Sequence, residues 1–295
     1  MPELLFVPNF SEGRSERVIG ALAATLGGHA RVLNVHFDPR HNRTVYTVCG
    51  APEDLVAAGA AGAEHALELI DLRRYEGLHP HVGALDVAPF VWITETGKQR
   101  AAEAARSAGE AIAALGIPVF FYGALASSEE RRERAFFRRG GPTELARRMQ
   151  AGELEPDLGP AEPHPRVGAT LVTARRPLVA FNVELDTPNP EIAKAVADGL
   201  REDGGGLPGV RALGLPWEGG RSQVSINVQD AAAVPLAVVV ERVRELAAEH
   251  GARPVEAELV GLASQAALEG YPEDPPIRGF DPGQHVIERL VADPE

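Results

Sequence analysis

The chain has 295 residues and a mass of 31.3 kDa, with 44% hydrophobic and 24% charged side chains. That make-up excludes collagen-like, coiled-coil and wholly disordered chains and allows one large α/β unit or two domains. Its 29 basic and 42 acidic side chains give a net charge of −13, a field that repels phosphate backbones and anionic lipid surfaces, so nucleic acid and membranes are not expected partners. Cys49 is the only cysteine, which rules out an intrachain disulfide or a cysteine-built zinc site. The lone cysteine suits a reducing interior, so the expected address is the cytoplasm; residues 1–10 carry no basic leader, and no apolar run approaches the ~18 residues a bilayer demands.

Residues 4–8 form a short apolar strand stopped by Pro8, and a loop from Asn9 to Arg14 leads into Val18, Ile19, Leu22 and Leu26, which share one helix face. Residues 31–35 and 44–48 alternate as a hairpin around Asp38-Pro39. Pro52 opens a helix to about Ile70, residues 79–83 read as loop, 84–93 as a buried strand, 97–115 as an alanine-rich helix and 117–122 as another strand. The order βαββαβ followed by αβ is the rhythm of a split βαβ layer.

Residues 127–159 change character, with seven arginines against four glutamates between Ser127 and Gln150, and read as a polar excursion and linker. Beyond it, strands at 169–173 and 178–183, a helix at 190–201, a hairpin at 210–215 and 224–228, a helix at 234–250 and a strand at 255–259 repeat the first rhythm. His79-Pro80-His81-Val82-Gly83-Ala84 recurs 85 positions on as His164-Pro165-Arg166-Val167-Gly168-Ala169. The recurrence suggests two modules, or a packing motif in which Gly and Ala allow close backbone approach. Residues 270–295, with five prolines, read as an appended tail ending in a short helix at 284–291.

No GxxxxGK[ST] loop, strand-linked GxGxxG, GxSxG or HExxH is present, which removes the common nucleotide and hydrolase readings. His79, in a loop bounded by Gly and Pro before a buried strand, is placed where an imidazole can move protons, or is a plain surface histidine. His81 makes an HxH pair that, with His36, His41 or Asp86, could offer metal ligands, although Pro80 constrains the turn. Arg14, Arg43 and Arg166 stand near Asn9, Asn42 and Gly168 where forked donors suit carboxylates, whereas the arginines from Arg131 to Arg148 fit surface pairing with glutamates.

Taken together, Val7-Pro8-Asn9-Phe10-Ser11-Glu12-Gly13-Arg14, Asn42-Arg43-Thr44-Val45-Tyr46-Thr47, His79-Pro80 with Gly83-Ala84-Leu85-Asp86-Val87, Pro118-Val119 with Tyr122-Gly123, Gly159-Pro160, Gly168-Ala169-Thr170 and Ala180-Phe181-Asn182 resemble the formiminotransferase domain family, in its form without a cyclodeaminase domain. Gln223-Val224-Ser225 and Leu259-Val260-Gly261-Leu262 extend the match. The resemblance implies an α/β (α+β) fold of two related βαββαβ-type subdomains with facing mixed sheets and outer helices. It divides the chain into residues 1–176 with the linker, 177–269, and a tail at 270–295. It implies transfer of a formimino group from N-formimino-L-glutamate to N5 of tetrahydrofolate, giving 5-formiminotetrahydrofolate and L-glutamate in histidine degradation. The enzyme would be a homodimer, with tetrahydrofolate as co-substrate and no metal.

By the same resemblance His79 is the proton-transferring residue. The folate segment falls on Gly159, Pro160, Ala161, Glu162, Pro163, His164, Pro165, Arg166, Val167 and Gly168. Asn9, Ser11, Arg14, Asn42, Arg43, Thr44, Asp86 and Asn182 are candidates for substrate contact. Two departures stand out: His81 where the family usually has Arg, and His36 near a position often acidic. The competing readings are a metal-dependent formimino hydrolase using His79, His81 and Asp86, and a folate-binding protein without catalysis.

Overall fold

A computed structural model describes residues 4–292, and the chain parts into two compact units between Arg175 and Arg176. The first contains β1 (Leu4–Phe6), β2 (Asn9–Phe10), α1 (Glu16–Gly27), β3 (Arg31–Asp38), β4 (Arg43–Gly50), α2 (Pro52–Leu69), β5 (Leu85–Trp92), α3 (Lys98–Ala114), β6 (Val119–Phe121), α4 (Arg134–Arg138), α5 (Gly141–Gln150) and β7 (Thr170–Arg175). Its sheet runs β3, β4, then β1 and β2 end to end, β5, β7 and β6; pairing is antiparallel as far as β5 and parallel from β5 through β7 to β6. Pro8 interrupts the first strand without ending it. Its carbonyl still accepts from Tyr46 N, and Asn9-Phe10, expected as loop, rejoins β4 and β5.

The helices follow local chemistry. Ser15 caps α1 by accepting from Val18 N, and Pro52 with Glu53 and Asp54 suits the donor-rich first turn of α2. Alanine and glycine on the facing sides of α2 and α3, among them Ala58, Gly59, Ala63, Ala105 and Ala108, let both helices lie close against Phe6, Phe10 and Phe90 in one apolar core.

Residues 127–159 are not a linker. Phe137, Leu145, Met149 and Leu154 pack on Val82, Val87, Phe120 and Leu171 in a separate core, so α4 and α5 belong to the first unit. The two recurring words also lie within this one unit, where they pair with each other. Gly83 bridges Gly168, Ala84 N donates to Val167 O at 2.8 Å, and Ala169 N donates to Val82 O at 3.0 Å, just ahead of the parallel partners β5 and β7. A Cβ on Gly83 would lie 1.8 Å from Ala169 O, and one on Gly168, at φ +71°, would lie 2.2 Å from Val82 O. The recurrence is therefore a close-approach motif between neighbouring strand entries.

The second unit runs β8 (Val179–Leu185), α6 (Pro190–Leu200), β9 (Val210–Pro216), β10 (Ser222–Val228), α7 (Leu236–Ala248), β11 (Pro254–Val260), α8 (Pro282–His285) and α9 (Ile287–Ala292). Its sheet, β11-β8-β10-β9, is wholly antiparallel. The duplication expected from the strand rhythm lies in this topology, because β3-β4-β1/β2-β5 has the same order as β9-β10-β8-β11. Residues after 270 pack into the unit. Tyr271, Ile277 and Phe280 join its core, and Arg278 pairs with Glu184 and, at 2.7 Å, with Glu256. Among the described residues no helix is long and apolar enough to cross a membrane.

Opposite that core, β10 holds Gln223 fully buried, with no hydrogen-bond partner among the described residues for either side-chain polar atom. A buried amide without partners is costly, and an apolar side chain of similar shape removes the cost. Gln223→Leu is therefore expected to raise stability by ~1–2 kcal/mol, read by calorimetry as a higher Tm. A lower Tm would show that the amide is held by bonds the substitution breaks.

Candidate active site

The pairing of β2 with β5 slips by one residue: Asn9 faces Val87 while Phe10 faces Leu85, leaving Asp86 as the extra residue of a bulge. The bulge turns a carboxylate into the interior. Asp86 is fully buried, and its charge is met by three donors. Val82 N reaches Oδ1 at 2.7 Å, Arg43 Nη1 reaches Oδ2 at 2.7 Å, and Arg138 Nη2 binds Oδ2 as well. Burial alone would push this carboxyl up; Arg138 and Arg43 outweigh it and hold it well below the usual carboxylate range. Arg43, itself buried, is oriented by a second bond from Nε to Asn9 Oδ1 at 3.1 Å.

His79 lies three residues before Val82, half-buried, with its ring edge-on to His41 at 6.1 Å between centroids. Its Nδ1 is 2.7 Å from the carbonyl of Pro80. A carbonyl only accepts, so Nδ1 carries the proton and Nε2 presents the lone pair. Burial is the main force lowering the ring's pKa well below its ordinary 6.5; Arg43, Arg138 and His41 add to it and Asp86 opposes. The result is a neutral imidazole at neutral pH, fit to accept a proton.

His81 turns elsewhere. Its ring tilts against Tyr75 at 4.0 Å between centroids, and burial lowers its pKa too, against the pull of Asp86. The Tyr75 hydroxyl donates to His41 O at 2.9 Å, with His79 O at 3.4 Å, and burial pushes its pKa up to about 12, so it stays a donor that ties the loop of His79 to the β3–β4 turn. The two histidines thus have different partners, and Asp86 is committed to three donors, which leaves no ready carboxylate for an HxH metal site. Among the described residues no group of three His, Cys, Asp or Glu side chains is placed to hold a metal.

Several other expected residues support this geometry. Ser11 Oγ donates to Gly83 O at 2.7 Å, Asn42 Oδ1 accepts from Gly13 N at 2.8 Å, and Thr44 Oγ1 donates to Glu12 O, each bond fixing a loop. Arg14, half-exposed, donates from Nε to Pro39 O at 2.8 Å and lies 3.6 Å from Glu76. In the segment from Gly159 to Gly168, His164 and Gly168 bond each other's backbone at 2.9 and 2.8 Å, forming a tight turn beside residues 82–84. Arg166 makes long contacts, 3.4 and 3.5 Å, to Glu68 O and Ile70 O at the end of α2. Asn182 is on β8 of the second unit, where it donates to Glu258 at 3.0 Å.

Arg138 is the residue that sequence reasoning missed. Surface pairing describes Arg147, which bonds Glu144 and Glu153, but Arg148 is buried against Phe136 and Arg138 turns inward, partly buried, onto Asp86. The available signal was Phe136-Phe137 inside the charged run, with Phe137 fully buried.

Two family models match the chain, the formiminotransferase domain, N-terminal subdomain over residues 4–175 and the formiminotransferase domain over 180–270. The chain belongs to the formiminotransferase family. It is 36% identical over 266 residues to the glutamate formimidoyltransferase of Streptococcus pyogenes, covering 89% of each chain. With that of Thermoplasma acidophilum it shares 35% over 297 residues, covering 97% of this chain and 96% of the relative. It also aligns with half of the formimidoyltransferase-cyclodeaminase of Rattus norvegicus, 36% identical over 272 residues that make up 89% of this chain.

One property of this formiminotransferase follows from His79. Unfolded, the ring takes its proton near 6.5; folded, only well below. Between those values the unfolded chain binds more protons, so the His79 contribution lowers stability as pH falls through that window. In an NMR titration the His79 ring signals are expected to stay those of the neutral form at pH 6.5; a midpoint at or above 6.5 would contradict the site's electrostatics.

Proposed function

We propose that the protein transfers the formimino group of N-formimino-L-glutamate to N5 of tetrahydrofolate, with His79 as the proton carrier, releasing 5-formiminotetrahydrofolate and L-glutamate in histidine degradation. Membership of the formiminotransferase family supports the reaction class, and the observation that carries the mechanism is the His79 tautomer, with Nδ1–H fixed on Pro80 O and the basic lone pair left on Nε2.

The N5 lone pair attacks the formimino carbon and an N–C bond forms, while His79 Nε2 takes the N5 proton. The tetrahedral intermediate then collapses, the bond from carbon to the glutamate nitrogen breaks, and the imidazolium returns the proton to that nitrogen. A ring whose pKa is held down by burial and two guanidiniums gives its proton back readily. Tetrahydrofolate is assigned to the turn from Gly159 to Gly168, which packs beside residues 82–84 of the His79 loop. The side-chain contacts of Arg166 are all long, to two carbonyls and, at 3.9 Å, to Asp71, which leaves its fork able to turn to a carboxylate of the folate tail. Arg43 is assigned to the formimino donor. The same reading places the enzyme in the cytoplasm as a homodimer.

The test is release of glutamate from N-formimino-L-glutamate that requires tetrahydrofolate. His79→Ala is expected to lower turnover by roughly a hundred- to ten-thousandfold with Tm and tetrahydrofolate binding nearly unchanged. His81→Ala, which removes only the ring packed on Tyr75, is expected to be milder. A loss that follows His81 instead would move the proton carrier to that ring.

A further inference from the structure

The cluster around Asp86 holds more cation than its anion neutralises. One carboxylate stands against two guanidiniums, Arg43 and Arg138, with side chains only 8% and 12% exposed, so a net positive charge lies under the surface. Each guanidinium also keeps an N–H closed off from solvent with no acceptor among the described residues, Nη2 of Arg43 and Nε of Arg138. Ordinary structural ion pairs balance their charge and use their donors, because a buried uncompensated charge and an unmade bond are both costly. Spare positive charge together with spare donors is the pattern of a receptor for a second anion.

We propose that Arg138, together with the uncommitted arm of Arg43, receives the α-carboxylate of the formimino donor and so sets its amidine against His79. This rests on the transfer reading above. The donor has two carboxylates, and the α-carboxylate is the one attached to the carbon that bears the reacting nitrogen. The loop of His79 is tied to this cluster, since Val82 N, three residues on, donates to Asp86 Oδ1 at 2.7 Å, so an anion held by the two arginines brings that nitrogen, rather than the far end of the side chain, towards the imidazole. Asp86 serves as the anchor: by binding Arg43 Nη1 and Arg138 Nη2 it fixes both forks before the ligand arrives, which reduces the ordering that binding would otherwise demand. The position of Arg138 on a five-residue helix whose Phe137 fills the adjoining core gives the fork a rigid base.

The test crosses the protein with the ligand. Steady-state constants are measured for the wild type, Arg138→Met and Arg138→Lys with two donors, N-formimino-L-glutamate and N-formimino-4-aminobutyrate, which lacks only the α-carboxylate. With the wild type, losing the α-carboxylate is expected to raise the donor KM by roughly 10- to 100-fold, the range of a charge-assisted bond. Arg138→Met is expected to raise the KM for formiminoglutamate by a similar factor, to leave the KM for tetrahydrofolate within about twofold, and to add no further penalty with the aminobutyrate donor; Arg138→Lys recovers part of the loss. The proposal is overturned if the wild type uses both donors equally well, a measurement that needs no variant, or if Arg138→Met penalises both donors alike. A wild type that moves no formimino group from either donor to tetrahydrofolate overturns the transfer reading itself, and this assignment with it.

Discussion

The buried carboxylate of Asp86 is the constraint on which the architecture of the first unit turns. An unpaired charge at that depth would be driven to neutrality, so the fold has to bring donors to it, and they come from three separate stretches of chain. Arg43 arrives on β4, Arg138 on α4, and Val82 N from the loop of His79. Asn9, next to the bulge that exposes the carboxylate to them, steadies Arg43 from the first strand. Removing one arginine still leaves a balanced pair, whereas removing Asp86 would leave two buried cations facing each other. The asymmetry explains why the aspartate acts as anchor and the arginines are free to meet a ligand.

The same constraint accounts for the arginine-rich stretch being folded rather than trailing as a linker. Its charge density hides two functions under one composition. Arg147 is an ordinary surface partner of Glu144 and Glu153, while Arg138 and Arg148 are carried inward because Phe137, Leu145 and Met149 fill the second face of the sheet. A run of seven arginines offers no spacing by which to tell these apart, since the partner of Arg138 is 52 positions away. What was legible there was the aromatic pair Phe136-Phe137, an apolar anchor in a segment otherwise fit for solvent.

Elsewhere the local signals were enough. Pro52 ahead of an alanine-rich face, the apolar run of β5 and the hairpin of β3 and β4 follow from periodicity and turn chemistry, because each is decided within a few residues. Pairing was less legible. The recurring HPxVGA word reads as a sign of duplicated modules, yet its glycines serve the contact of two neighbouring strand entries within one unit, and the real duplication resides in strand order, which no short word encodes. The bulge at Asp86 was equally invisible, since a one-residue slip against β2 depends on where Pro8 lets the first strand resume.

The choice between the two histidines of the His-Pro-His word also depends on surroundings. Both rings have lowered pKa values and both are neutral near pH 7, so charge state does not separate them. Geometry does. His81 packs its ring, tilted, against Tyr75, whereas the Nδ1–H of His79 is fixed by a carbonyl and leaves Nε2 with the lone pair. The neutral His81 adds no charge to the site. The cations that act on the proton affinity of His79 are Arg43 and Arg138, the same groups that keep spare donors beside Asp86. A carboxylate settling on those donors would offset their positive charge and raise the imidazole's proton affinity as the donor arrives. Substrate binding and the strength of the base are in this way coupled through one pair of guanidiniums.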